Sequence, residues 1–136
     1  MSIRQVRKKS DLDKIQKALS LLNIDYATPQ HAQNDFRNNE VRLYALIEND
    51  CPVAICSVVP DHIYNYLAIK RLVVLDTNNR GKGYAKKLIS TVIKRQKGSC
   101  GCTPWVDNKP MQKLLKELGF IYQYTFNEVW TFWKQK

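Results

Sequence analysis

Six consecutive residues, Arg80-Gly81-Lys82-Gly83-Tyr84-Ala85, constrain this chain more than any others. They follow an apolar, strand-like run, Leu72-Val73-Val74-Leu75. They open an amphipathic helix in which Ala85, Leu88, Ile89, Val92 and Ile93 recur at the spacing of one buried face. A strand that turns tightly into a helix N-terminus makes a place for a phosphate. Glycine has no Cβ, so backbone N–H groups can approach an anion. The first helical turn carries N–H groups without internal acceptors, and the helix dipole adds roughly half a positive charge at the same point. Two commoner phosphate loops are excluded. A nucleotide-hydrolase loop needs Ser or Thr after Gly-Lys, where this chain has Gly83, and a dinucleotide fingerprint needs glycine where it has Lys86.

The 136 residues suffice for one domain, expected to span 1–136, and no apolar run of about 18 residues predicts a membrane span. The N-terminus has no apolar segment of the kind a secretion signal carries, so a cytoplasmic protein is expected. Cys51, Cys56, Cys100 and Cys102 have neither the spacing nor the histidine partners of a zinc site and read as reduced, partly buried thiols. No metal is expected. The net charge of +10 suits a ligand with several phosphates and also permits an anionic acceptor or nucleic acid. Lys86, Lys87, Lys94 and Arg95 lie largely off the apolar stripe of their helix and read as a solvated face.

Along the chain, a short strand at Ile3–Val6 precedes a helix capped at Ser10, with Leu12, Ile15, Leu19 and Leu22 inward. Thr28-Pro29 starts a second helix that ends near Asn38. Alternation from Val41 to Ile47 predicts a strand, and Pro52–Val59 its return, broken at Pro60-Asp61-His62. Tyr64–Leu75 is the next strand. After the glycine turn and its helix come a strand over Cys100–Val106, a helix with Met111, Leu114, Leu115 and Leu118 inward, and a final antiparallel pair at Phe120–Phe126 and Glu128–Trp133.

Arg80, Gly83 and Ala85 occupy the defined positions of the Q/R-x-x-G-x-G/A signature. Val106-Asp107-Asn108 through Leu118-Gly119-Phe120 repeats a second motif in the right order. On these residues the chain resembles the GNAT family of acyl-CoA-dependent N-acetyltransferases from Ile3 to about Trp133. The resemblance implies an α/β (α+β) fold: a mixed, mostly antiparallel sheet of six to seven strands, splayed between the fourth and fifth and flanked by about four helices. It implies acetyl-CoA as co-substrate, with its pantetheine arm along Val73, Val74 and Leu75, its pyrophosphate on Arg80, Gly81, Lys82, Gly83, Tyr84 and Ala85, and Asn108 beside the arm. Asn108 also reads as a helix cap. An amine acceptor would attack the thioester directly in a ternary complex, with the oxyanion held by backbone N–H near Leu75.

The chain departs from the family at the tyrosine that usually serves as acid, four residues before the closing glycine: Leu115 stands there. The run from Tyr64 to Leu75 also lacks the family's frequent glutamate. Tyr122 and Tyr124 are therefore the candidate catalytic residues, with Asp61, His62 and Glu128 as further proton carriers. The first two helices and the last strand pair, which usually shape the acceptor pocket, supply Tyr26, His31, Phe36, Trp130, Phe132 and Trp133. Three other roles stay open: acetylation of nucleic acid or aminoacyl-tRNA, a CoA-binding module without catalysis, and an interaction subunit. The aromatic last strands are compatible with a homodimer.

Overall fold

The computed structural model describes residues 1–76, 78 and 81–135, so Arg80 of the expected anion loop lies outside the described residues. Seven strands form one sheet: β1 (Ser2–Gln5), β2 (Arg42–Glu48), β3 (Cys51–Asp61), β4 (Tyr66–Val74), β5 (Cys100–Cys102), β6 (Ile121–Phe126) and β7 (Trp130–Lys134). Their order across the sheet is β1-β2-β3-β4-β5-β7-β6, antiparallel throughout except for β4 and β5. Among the described residues four α-helices accompany them: α1 (Lys9–Leu22), α2 (Pro29–Arg37), α3 (Tyr84–Arg95) and α4 (Lys109–Glu117).

The sheet buries a core on each face. Leu12, Ile15 and Leu19 of α1 and Ala32 of α2 pack on Leu43, Ala45, Ile55, Val73 and Leu75. On the other face Leu88, Ile89 and Val92 of α3 and Leu115 of α4 pack on Leu46, Cys56, Val58 and Ile69. Both helical stripes behave as their periodicity demands. The start of α1 differs from expectation. Lys8 is its cap, and Ser10 lies inside the first turn, because Asp11 is drawn to Arg4 of β1 by hydrogen bonds of 3.0–3.2 Å. Thr28 caps α2 as expected, reinforced by His31, whose ring accepts from the Thr28 N–H at 3.0 Å. β3 runs on through Pro60 to Asp61, since a proline costs nothing where the neighbouring strand does not need its N–H. β5 stops at Cys102, before the expected Val106.

The strand that positions the site is β4. It pairs with β5 only at Leu67↔Cys100 and Ala68↔Gly101, then continues six residues alone along β3. Pro104 lacks an N–H, and its carbonyl accepts from Thr131 on the β7 side at 2.9 and 2.8 Å, so β5 cannot extend the ladder. Across β3, Ile55 faces Val73 while Ser57 faces Lys70, so Arg71 and Leu72 together stand opposite Cys56. This is a β-bulge, and its first residue, Arg71, has φ +53°. A left-handed backbone costs a residue with a Cβ roughly 1 kcal/mol or more.

An ion pair with a buried aspartate holds it. Arg71 Nε and Nη2 each donate to the Asp35 carboxylate at 2.6 Å, and Ser57 Oγ donates to the same carboxylate at 2.6 Å. Asp35 sits on α2, its side chain 8% exposed against 22% for Arg71. Asp35→Asn should therefore lower stability by about 3 kcal/mol, because an uncompensated guanidinium stays behind in a strained bulge. Ser57→Ala should cost about 1 kcal/mol. Urea unfolding midpoints check both; equal effects would mean that the charge pair does not hold the bulge.

Candidate active site

The parting of β4 from β5 opens a cleft of about 630 Å³. Ile69, Lys70, Arg71 and Leu72 form the β4 wall. Cys102 to Trp105, Asp107 and Asn108 form the β5 wall, with Met111 of α4, Trp130 of β7 and Tyr26 from the α1–α2 connection completing it. Trp105 and Trp130 meet edge to face at 5.0 Å between ring centres. Asn108 caps α4 by accepting from the Met111 N–H at 3.2 Å while it lines the cleft, so its two readings coexist.

Backbone polarity on the β4 edge follows from register. Leu75 donates its N–H to the Val53 carbonyl at 2.9 Å, and Val73 stands opposite Ile55. N–H and C=O direction alternates along a strand, so Val74 turns both groups away from β3 and into the gap. Of the three residues expected along a pantetheine arm, Val74 is the one whose amide is turned to the gap. The Leu75 N–H is committed to β3, so on this strand the Val74 N–H is the neighbouring donor turned to the gap.

At the far end of β4 the chain enters α3 through Gly81 (φ +82°) and Gly83 (φ +74°). Gly83 is the cap residue and no side chain caps the helix, so the first-turn amides of Tyr84, Ala85 and Lys86 are left without intrahelical acceptors. The first turn carries no acid. A Cβ at either glycine would meet nothing within 4 Å, so it is the backbone angle, and open room in front of it, that glycine provides here. Tyr84 does more than cover the loop. It is buried, and its hydroxyl donates to Glu48 at the end of β2. That hydrogen bond, with burial and the Glu48 charge behind it, raises the phenol pKa, so it remains a donor that ties the helix start to the sheet.

The expected acid–base residues fall elsewhere. β6 is the sheet edge, separated from β5 by β7. Tyr122 stacks edge to face on Trp133, and its hydroxyl bonds Thr125 at 2.6 Å. Tyr124 lines a second cavity with Asp61, Tyr66 and Phe132, on the far side of Thr103 from the first. Neither tyrosine lines the β4–β5 cleft. Leu115 is fully buried in the core. His62 pairs with Glu40 at 2.7 Å on an exposed surface, Glu128 sits in the exposed β6–β7 turn, and His31 is spent as a cap. Of the expected acceptor-pocket residues, Tyr26 and Trp130 line the cleft, Phe132 lines the second cavity, Phe36 packs on the α1–α2 core, and Trp133 is buried in the other core.

Sequence reasoning did not place Trp105, Asp107 or Arg71 in the cleft. Cys102 lines it, but burial lifts its thiol to about 12 and its Sγ donates to the Ile69 carbonyl at 3.5 Å. It is protonated at neutral pH and is no nucleophile. Burial likewise raises Cys100 to about 11 and Cys56 further still. Among the described residues no group of three His, Cys, Asp or Glu side chains could hold a metal.

Comparison with known proteins agrees with this geometry. A search of curated sequences finds no match. Solved structures with the same fold include a GNAT-family acetyltransferase from Streptococcus agalactiae, at 19% identity and a TM-score of 0.78 over 98% of this chain and 94% of that one. Arabidopsis thaliana NAA60 in complex with acetyl-CoA superimposes at 16% identity and a TM-score of 0.76, covering 98% and 96%. A variant of the spermidine N-acetyltransferase SpeG from Vibrio cholerae does so at 14% and 0.73, covering 99% and 94%. At these identities the likeness is one of fold. The profile of the acetyltransferase (GNAT) family matches residues 11–120 of the sequence itself. With the splayed β4–β5 gap and the glycine-led helix in the same order, the chain belongs to the GNAT family of acetyltransferases.

Proposed function

We propose that the protein transfers an acetyl group from acetyl-CoA to an amine by direct attack within a ternary complex. The observation that carries this reading is the gap itself. One end is an uncapped helix N-terminus suited to a pyrophosphate, the wall offers the Val74 amide to an extended arm, and the middle opens on a polar-rimmed cleft. The S. agalactiae and Vibrio proteins with this fold are described as acetyltransferases, the latter of spermidine, and the Arabidopsis protein is in complex with acetyl-CoA, which supports the same class of chemistry here.

In this reading the ammonium first gives a proton to a base, and the neutral nitrogen attacks the thioester carbonyl. The C–S bond breaks to release the CoA thiolate, and the nitrogen's second proton leaves as the amide forms. An alkylamine of pKa about 10.4 must lose its proton first, at a cost of roughly 4.6 kcal/mol at pH 7. Asp107 is the carboxylate that lines the cleft, and it would draw in the ammonium and take its proton through water. Tyr26 is the phenol that lines the cleft, and it would protonate the departing thiolate. The protonated Cys102 argues against an acetyl-cysteine intermediate.

Two outcomes test this. Gly83→Asp and Gly83→Asn differ by one charge, and both side chains tolerate a left-handed backbone. Calorimetric titration of acetyl-CoA should show a Kd at least about tenfold weaker for Asp than for Asn. Equal values would remove the phosphate from this helix end, and no binding to the unchanged protein would sink the reading. Incubation with acetyl-CoA alone should leave no added acetyl mass on any cysteine, and Cys102→Ala should keep turnover; a stable adduct would mean a two-step route.

A further inference from the structure

Arg71 has more donors than its structural task consumes. Nε and Nη2 are bound side-on by Asp35, and both N–H bonds of Nη1 have no acceptor among the described residues. The bulge makes Arg71 part of the cleft wall, and Lys70, the preceding residue, lines the same wall. A side-on pair fixes the plane of the fork, so the unused edge is held in one orientation before any ligand arrives. Lysine has donors enough but no planar fork, so it would not hold one edge on Asp35 and the other fixed in orientation. The charges of the cleft are also segregated. Lys70 and Arg71 stand on the β4 wall, with Asp35 behind Arg71, and Asp107 stands on the β5 wall.

We infer that Arg71, with Lys70, recognises an anionic group on the acceptor, so that the acceptor is a zwitterion: an amine that also carries a carboxylate. This rests on the transferase reading above and names the acceptor class for the same cleft. The negative end lies against the β4 wall and the ammonium against Asp107, which leaves the nitrogen on the wall opposite the cations. A diamine of the same length would set its second ammonium against Lys70 and Arg71. The tryptophan pair Trp105–Trp130 flanks the alkyl segment between the two ends.

The test uses ω-amino acids of two to five carbons beside the n-alkylamines and α,ω-diamines of equal length, with kcat/KM read by thiol release from acetyl-CoA. At the best length the amino acid should exceed the alkylamine at least tenfold and the diamine by more. Arg71→Gly keeps the left-handed bulge available while removing the guanidinium, and should collapse the acid-to-alkylamine ratio at least tenfold. Arg71→Lys, which keeps charge without the fork, should collapse it partly. The ratio carries the test, since overall rate would also fall if the bulge loosened. A second readout needs no acetyl-CoA: Trp105 and Trp130 should report saturable binding of the amino acid by fluorescence in the unchanged protein, and far weaker binding in Arg71→Gly. Preference for alkylamines or diamines, or a ratio untouched in both variants, overturns the inference and leaves Arg71 a lock for the bulge alone. Amino-acid binding by fluorescence without acetyl-CoA binding would uphold the anion site and remove the transferase reading instead.

Discussion

The side-on pair between Arg71 and Asp35 is the contact from which the rest of the site follows. It holds a residue with a Cβ at φ +53°, and with it the extra residue of the β4 bulge. A one-residue insertion inverts every side chain beyond it. Before the bulge Lys70 points with Ser57 towards α2; beyond it Val73 and Leu75 enter the core beneath α1, while Leu72 and Val74 pack towards α3. Without the extra residue those two pairs would exchange faces. The same kink lies just past the last rung shared with β5, where the sheet must part. One ion pair thus sets the phase of β4, aims the Val74 amide and shapes one wall of the cleft.

The other end of the site is held by a different means. Gly81 and Gly83 supply a backbone path that ordinary residues avoid, and Tyr84 anchors the first turn of α3 to Glu48 of β2. The anchor matters because a glycine-rich turn gains nothing from side-chain packing of its own. Among the described residues no side chain caps this helix N-terminus, whose first-turn N–H groups are the kind that an anion can satisfy. Lys86 and Lys87 follow in the first turn of α3 and are exposed, the first paired with Glu117 at 3.3 Å.

What was legible in the sequence was local. The apolar stripes of α1, α3 and α4, the caps at Thr28 and Asn108, the glycine turn and the strand order all arise from neighbours within a few residues. What was not legible was long-range. Asp35 lies in a short polar helix, 36 residues from its partner. Nothing around Arg71 advertises a left-handed residue, since neither glycine nor asparagine stands there. Tyr122 and Tyr124 looked close to the site because they follow α4 directly in the chain. The hairpin places β7 next to β5, however, and carries β6 to the edge, so sequence proximity to α4 became distance from the gap. Trp105 and Asp107 sit in a stretch that periodicity read partly as strand, and only the early end of β5 at Cys102 turns that stretch into a cleft wall.

The loss of the usual tyrosine to Leu115 weighs less than the loss of a base would. A thiol of pKa about 8.5 departs as thiolate at pH 7 for roughly 2 kcal/mol, less than half of what freeing an alkylamine of its proton requires. Protonating the leaving group is the smaller demand, and solvent or an exposed phenol such as Tyr26 can meet it. The larger demand falls on the acceptor, and there the cleft offers Asp107 on one wall and two cations on the other. Cations near a bound ammonium favour its neutral form, while a carboxylate nearby favours the charged one. An acceptor oriented across the gap, with its nitrogen facing Asp107, would therefore be drawn in by charge and lose its proton only as the carboxylate, through water, receives it. The position of the acceptor between the walls, more than any single acid, decides whether this fold turns over.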